Sequence, residues 1–423
     1  MRHLHYTSLF YIGVLLITFD GFPFPKYGLG SAKSLSLIPM GIFLIFNLKN
    51  VFVALKKTDK IELFLILILL LISALVGMNR YADVLGFEQS VSMWSCYIIA
   101  LLSFRLFVFN ANRSRIFKMF KLINTSFTIS LVFGIIECVL IFAGQNTIFS
   151  NFLSLFLRDD LYLGNRLQFN FQEPSSCAIM LLCFYIPTLY SLKKMGYHFS
   201  LFDKTKCVML FIFSIATFSS MFFLTLLVLT IAYAIYKIIE LKRVKYLIYV
   251  SLFTVLLSPL VLTWLKGYND GRVYDMLFSP IETIEKENSA GTRAGLWFVS
   301  VEAMKDYPLT GYGWGYFWYA FKNNFYKIGV NINSTEFADI LFSKSYQSYS
   351  IYSTAIVEGG LVGTIWLLLF LYTRYRETEG FYKPFYFGYL FLLTQIIPIY
   401  SVTYMFVLFI LTDKRINQFV LKK

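Results

Sequence analysis

Histidine occurs three times in 423 residues, at His3, His5 and His198. Charged residues make up 15% of the chain, against roughly 25% in soluble domains. The five cysteines (Cys96, Cys138, Cys177, Cys183, Cys207) fall in or beside apolar runs and form no Cys-x-x-Cys pair. That pattern predicts buried thiols, with neither a disulfide framework nor a metal site. Also missing are a P-loop, a Gly-x-Ser-x-Gly nucleophile elbow, HExxH, and the Asp-x-Asp of metal-dependent sugar-nucleotide transferases. These absences exclude the common soluble-enzyme chemistries and a secreted disulfide scaffold.

What the chain has is apolar mass. Hydrophobic residues make up 57% and aromatics 19%, with 46 Phe and 30 Tyr, and mean hydropathy is +0.63. No soluble core could hide so many large side chains, so their solvent must be largely lipid. The net charge, 38 − 24 = +14, would suggest nucleic acid as a partner in a soluble protein. Here the basic residues sit in short gaps between apolar runs, which predicts orientation in a bilayer and no nucleic-acid binding.

A membrane span needs roughly 20 apolar residues. Runs near 6–19, 33–48, 61–78, 89–109, 119–143, 175–192, 207–236, 245–265, 347–372 and 384–412 qualify. The first is not a cleaved signal, because Phe22-Pro23-Phe24-Pro25 follows it without a small-residue cleavage site. Gaps 49–60, 110–121, 191–206 and 237–245 are rich in Lys and Arg, and positive loops belong in the cytoplasm. Keeping both flanks of 207–236 inside requires a turn at Thr217-Phe218-Ser219-Ser220, and the basic tail requires another break near Pro398. The expected fold is an all-α polytopic integral membrane protein with about 12 transmembrane helices and both termini cytoplasmic.

The same reading divides the chain into five parts. Residues 1–143 hold about five N-terminal spans, 144–174 an outer loop with an interfacial helix, and 175–265 the central spans. Residues 266–346 form one large outer loop between the last helix groups, and 347–423 the C-terminal spans and tail. In the first loop Phe149, Phe152, Leu153, Phe156 and Leu157 recur at helical spacing. The larger loop carries eight basic and nine acidic residues. It holds a helix-like stretch over 293–306, with Thr292 as N-cap and Pro308 just past its end.

With every histidine placed inside, outward chemistry must rest on Arg, Glu, Asp, Tyr and backbone groups. Four constellations face outward. Arg166 and Glu173-Pro174-Ser175 stand at the mouth of a span, where a cation and a carboxylate can bind phosphate and position a hydroxyl. Headgroup contact and helix capping explain them as well. Arg293 and Trp297 share a helix face, suited to diphosphate oxygens and a sugar ring, ahead of Gly311-x-Gly313-x-Gly315. That glycine run would let backbone approach a ligand closely, or form a plain turn. Tyr349-Ser350-x-Tyr352 precedes Glu358-Gly359-Gly360-x-x-Gly363, readable as a buried functional carboxylate or as close helix packing. Glu137 lies one or two turns from the outer end of its span.

Taken in order, these pieces resemble the superfamily of O-antigen polymerases and O-antigen ligases, polytopic glycosyltransferases of the bacterial inner membrane. Arg166 before Glu173-Pro174-Ser175 matches its span entry. Arg293-x-x-x-Trp297 and Pro308-x-x-Gly311-x-Gly313-x-x-x-Phe317 match its large periplasmic loop. Tyr352, Glu358, Gly360 and Gly363 match its re-entry into the membrane. The sequence departs at Ser219-Ser220-Met221, where the family often has Ser-Arg, and at Tyr349-Ser350, where it has His-Asn. The similarity spans about residues 160–365.

The resemblance implies a polysaccharide polymerase. It would transfer a growing glycan from undecaprenyl diphosphate onto the next lipid-linked repeat unit at the periplasmic face. Glu173, Arg293 and Tyr349 are its expected catalytic residues, and Arg166, Trp297 and Glu358 its substrate contacts, with no cofactor and no metal. Expected partners are the undecaprenyl-diphosphate-linked oligosaccharide, membrane lipids and a chain-length regulator protein. The missing outer histidine weighs against a ligase. A flippase needs charges lining a central cavity, and a small-solute permease shows a repeat between halves, which is absent here.

Overall fold

The computed structural model describes residues 6–22, 33–155, 167–171, 174–217, 219–239, 288–328, 335–340, 342, 348, 350–394 and 401–421, with scattered positions between 248 and 285. Every named element among them is helical. In chain order they begin with α1 (Thr7–Leu15), α2 (Leu37–Phe46), α3 (Leu48–Ala54), α4 (Lys57–Val76), α5 (Leu85–Phe109) and α6 (Arg113–Phe142). Then come α7 (Asn146–Leu153), α8 (Pro174–Met180), α9 (Ile186–Lys194), α10 (Leu201–Ile215) and α11 (Ser220–Ile239). The large loop contributes α12 (Asn288–Ala303), α13 (Phe317–Asn324) and α14 (Thr335–Asp339). The chain closes with α15 (Gly360–Glu377), α16 (Tyr382–Leu392), α17 (Val402–Thr412) and α18 (Lys414–Leu421). Wider π-turns join α8 to α9 at Leu181–Tyr185, extend α4 over Gly77–Tyr81, and lead into α15 over Thr354–Glu358.

Among the described residues, four helices are long and apolar enough to cross a membrane: Lys57–Tyr81, Leu85–Phe109, Arg113–Phe142 and Ser175–Lys194. The pair α2 and α3, bent by 94°, makes a fifth if it is one span. The count of about twelve is therefore not reached within the described residues. Several apolar runs fold as shorter helices, Val402–Thr412 among them, and most of 245–265 lies outside the described residues. On α4, Phe64, Leu67, Leu71 and Leu75 are all more than half exposed and form a stripe at helical spacing. On α6, Val132, Ile135, Ile136 and Val139, each 37–60% exposed, form a second stripe. Exposed apolar stripes on long helices are what lipid contact requires.

Behind these stripes lies a core of aromatic and aliphatic side chains from α1, α2, α5, α6, α15 and α17. Trp94, Trp314 and Trp366 meet there with ring centroids 4.7–5.9 Å apart. A second cluster joins Leu296, Val299 and Ala303 of α12 to Phe317 and Phe321 of α13, Phe337 of α14, and Val357.

The expected break inside 207–236 is present: α10 ends at Ile215 and α11 begins at Ser220. Pro398 lies outside the described residues, but α16 and α17 are separate helices on either side of it. Two local expectations need correction. The loop helix begins at Asn288, so Thr292 is an interior, fully buried position and not an N-cap; burial outweighs its weak helix propensity. The interfacial helix ends at Leu153, and Phe156 and Leu157 lie outside the described residues.

One end of the bundle holds a buried ion network that the sequence reading passes over. Arg105 of α5 clamps Asp59 of α4 with Nε and Nη2, both at 2.9 Å, and reaches Asp413 with Nη1 at 2.5 Å. Arg374 of α15 meets Glu62 at 2.8 Å, and Tyr97 donates to the same carboxylate at 2.6 Å. Lys56 bridges Glu377 at 2.9 Å and Asp413 at 3.4 Å. Arg105, Arg374, Asp59, Glu62 and Asp413 are all at most 3% exposed. Arg415, on the same end, donates to the carbonyls of Phe109 and Ala111. Several of the basic gaps thus converge at this end, and the loops that carry the matched motifs lie at the other.

Candidate functional site

At the far end, the turn after α4 and the glycine-rich loop form one body. Gly311, Gly313 and Gly315 have φ of 65°, 90° and 89°, a region open to glycine and costly for other residues. With that backbone the loop lies flat on the entry to α15. Tyr312 N–H donates to the Val357 carbonyl and Gly313 N–H to the Glu358 carbonyl, both at 2.9 Å. Leu361 N–H returns to the Leu309 carbonyl at 3.1 Å. A methyl group on Gly311 would lie 2.3 Å from the Glu358 carbonyl oxygen, and one on Gly315 2.0 Å from that of Gly86. The close approach that the glycine run permits is therefore to protein backbone.

Glu358 completes this joint. Its side chain is fully buried, and Oε2 accepts the Gly315 N–H at 2.5 Å. The carboxylate holds the loop that follows α12. From the other side, Ser73 donates to the Trp314 carbonyl at 2.6 Å, and Arg80 Nη1 donates to the Gly311 carbonyl at 3.1 Å. The Arg80 guanidinium also lies 3.8 Å from the centre of the Tyr307 ring. Tyr319 donates to Asp83 at 2.9 Å, and burial together with that contact pushes its pKa up to about 12. Arg80, Ser73 and Asp83 are not marked out by sequence spacing; the visible signal is a lone Arg-Tyr pair at the end of an apolar run.

Arg293 and Trp297 stand four residues apart on α12, both partly exposed, beside the stripe Leu296, Val299 and Ala303 that packs into the second cluster. Helix geometry thus presents a guanidinium and an indole together. In the segment leading into α15, Ser350 caps the turn Ile351–Ser353, accepting from Tyr352 N–H at 3.2 Å, and donates to the Leu393 carbonyl at 3.2 Å. Tyr352 donates to the Leu390 carbonyl at 3.0 Å. Arg166, Glu173 and Tyr349 lie outside the described residues.

The segment between Arg166 and Glu173 is nevertheless anchored. Glu137 of α6, 4% exposed, accepts the N–H of Gln168 at 2.9–3.0 Å and that of Phe169 at 2.8 Å. Phe169 has φ of 60°, and its ring lies against Gly134, where a methyl group would come within 2.5 Å. Asn170 donates to Thr18 at 3.0 Å, and Leu167 N–H reaches the Ala216 carbonyl at 3.4 Å, tying the segment to the turn after α1 and to the end of α10. Glu137 thus fixes the backbone between two of the sequence-predicted site residues. His198 precedes the opposite end of α10, a 15-residue helix, so about 22 Å of rise separates it from this segment.

No curated protein matches the chain. Residues 207–368 match the family model described as O-antigen ligase. The matched region holds α12, the glycine loop, the Glu358 joint and the start of α15. Over that region the chain is similar to the O-antigen polymerase and ligase superfamily, and the long apolar helices suit a membrane protein.

Proposed function

We propose that the chain is a polysaccharide polymerase, which moves a growing glycan from undecaprenyl diphosphate onto the next lipid-linked repeat unit. The family match supports polymerase or ligase equally. The observation that favours polymerase is the placing of His198 at the end of α10 remote from the Glu137 segment, which leaves the motif-bearing end without that histidine. His3 and His5 lie outside the described residues.

In this reading Arg166 and Arg293 neutralise the diphosphate, each contact contributing about 1.5–3 kcal/mol. The acceptor sugar hydroxyl attacks the anomeric carbon of the donor chain, and a new C–O bond forms. The bond from that carbon to the diphosphate oxygen breaks, and undecaprenyl diphosphate leaves. Glu173 takes the hydroxyl proton, with Tyr349 as the weaker candidate for that role. Trp297 stacks on a sugar ring. Glu358 acts through the glycine loop as a positioning residue, since its carboxylate is buried on the Gly315 N–H. The end with the basic loops would face the cytoplasm and the motif-bearing end the periplasm. A chain-length regulator would be the protein partner.

The test is a gel of surface polysaccharide from a strain lacking this gene. Core plus a single repeat unit, with the ladder restored by the wild-type gene but not by Arg293→Ala at equal expression, is the expected result. Bare core without one attached unit overturns the reading in favour of ligase or flippase.

A further inference from the structure

Beyond the Arg293 face, the large loop contains a cleft of about 420 Å³ whose walls include Asp306, Tyr307, Lys322, Asn323, Tyr326 and Lys327. Its base is preorganised. Asp306 Oδ2 accepts from the Tyr312 hydroxyl and from Asn324 Nδ2 at 2.7 Å, and Asn324 Nδ2 is itself held by the Ala320 carbonyl at 3.1 Å. Asp306 Oδ1 faces Lys327 Nζ at 3.7 Å, and that ammonium also donates to Asn324 Oδ1 at 2.7 Å. A fixed carboxylate oxygen beside a fixed ammonium offers an acceptor and a donor side by side, the complement of a vicinal diol.

Aromatic surface surrounds this pair. Tyr326 is 68% exposed and Tyr307 36%, and Arg80 covers one face of Tyr307. Exposed rings with convergent polar groups, in a hollow of this volume, are the makings of a ligand site. The polyhydroxylated, C–H-faced ligand that matches both halves is a carbohydrate. Lys322, exposed over the Trp318 ring at 5.1 Å, adds a positive charge to the rim beyond the Asp306–Lys327 pair, as Arg80 does over Tyr307, room for an acidic substituent.

The cleft also lies at the right remove. Arg293 is in the second turn of α12 and Asp306 is just beyond its end, so about 15 Å of helix rise separates Arg293 from Ala303. We propose that this cleft is a glycan subsite distinct from the diphosphate site, holding the oligosaccharide several sugar rings from the reacting carbon. The proposal rests on the polymerase reading for its source of glycan: the lipid-linked repeat unit or the growing chain.

The test uses the full chain in lipid nanodiscs, with surface polysaccharide from the producing strain cut by mild acid into lipid-free oligosaccharides. Saturation-transfer NMR reads their binding, and a parallel arm uses the lipid-linked repeat unit. Wild type is expected to bind; fragment binding assigns the subsite to the growing chain, and binding of the lipid-linked unit alone assigns it to the acceptor. Tyr326→Ala combined with Lys322→Ala should weaken binding at least tenfold, and Tyr326→Phe, which keeps the ring, should bind like wild type. Both residues are exposed, so the variants should melt like wild type. In the deletion strain the double variant should give shorter polymer. If wild type restores polymer yet binds neither glycan, or if the double variant binds unchanged, the proposal is overturned. If wild type restores no polymer, the polymerase reading fails, and the NMR arms still judge the cleft by themselves.

Discussion

The Glu137 carboxylate accepts the backbone N–H of Phe169 at 2.8 Å across 32 positions of chain. It thereby fixes a segment whose flanks carry Arg166 and Glu173. Losing one of its acceptor oxygens should loosen both. A buried N–H left unsatisfied costs about 1–3 kcal/mol, so Glu137→Gln should lower stability by that order. Thermal unfolding in detergent checks the stability, and polymer yield at equal expression should fall more than it does for a partly exposed surface control such as Glu302→Gln.

The glycine joint predicts a sharp contrast. At Gly315 an alanine would sit at positive φ, costing about 1–3 kcal/mol. It would also press on the Gly86 carbonyl, with a further overpacking cost of about 1–3 kcal/mol. Gly315→Ala should therefore melt well below wild type. Gly41, with nothing within 4 Å of an added methyl, lies inside α2, so Gly41→Ala should be neutral or raise stability by about 0.5–1 kcal/mol. Paired melting curves decide it.

Arg105 is the hub of the buried network, and removing it leaves Asp59 only the more distant Arg374 at 3.8 Å and Asp413 only Lys56 at 3.4 Å as charge partners. Arg105→Met should cost about 3–5 kcal/mol, read as loss of folded protein. Lys305 pairs with Glu302 at 2.7 Å on the surface, and Lys305→Ala should cost less than about 1 kcal/mol.

The cleft predicts a pH effect. Burial opposes the charge on Asp306, but hydrogen bonds from Tyr312 and Asn324 and the nearby Lys327 outweigh it and hold the carboxyl below its ordinary value. A depressed folded pKa stabilises above the unfolded value of about 3.9 and loses that contribution as pH falls through the folded pKa. The melting-temperature gap between wild type and Asp306→Asn should therefore be constant from pH 7 to 5 and shrink below pH 4. A gap that widens on acidification would contradict this.

Composition and periodicity alone determined the solvent of this protein, the helical class, the break between α10 and α11, and the loop helix ending before Pro308. These follow from local properties: apolar length, turn residues and the 3.6-residue repeat. The partner of Glu137, the burial of Glu358 on the Gly315 N–H, and the meeting of Arg105 with Asp413 across 308 positions were decided only in three dimensions. A buried charge or a positive-φ glycine shows in sequence only as an oddity inside a run. What it is spent on depends on which distant backbone or carboxylate packing brings within 3 Å, and no local spacing encodes that.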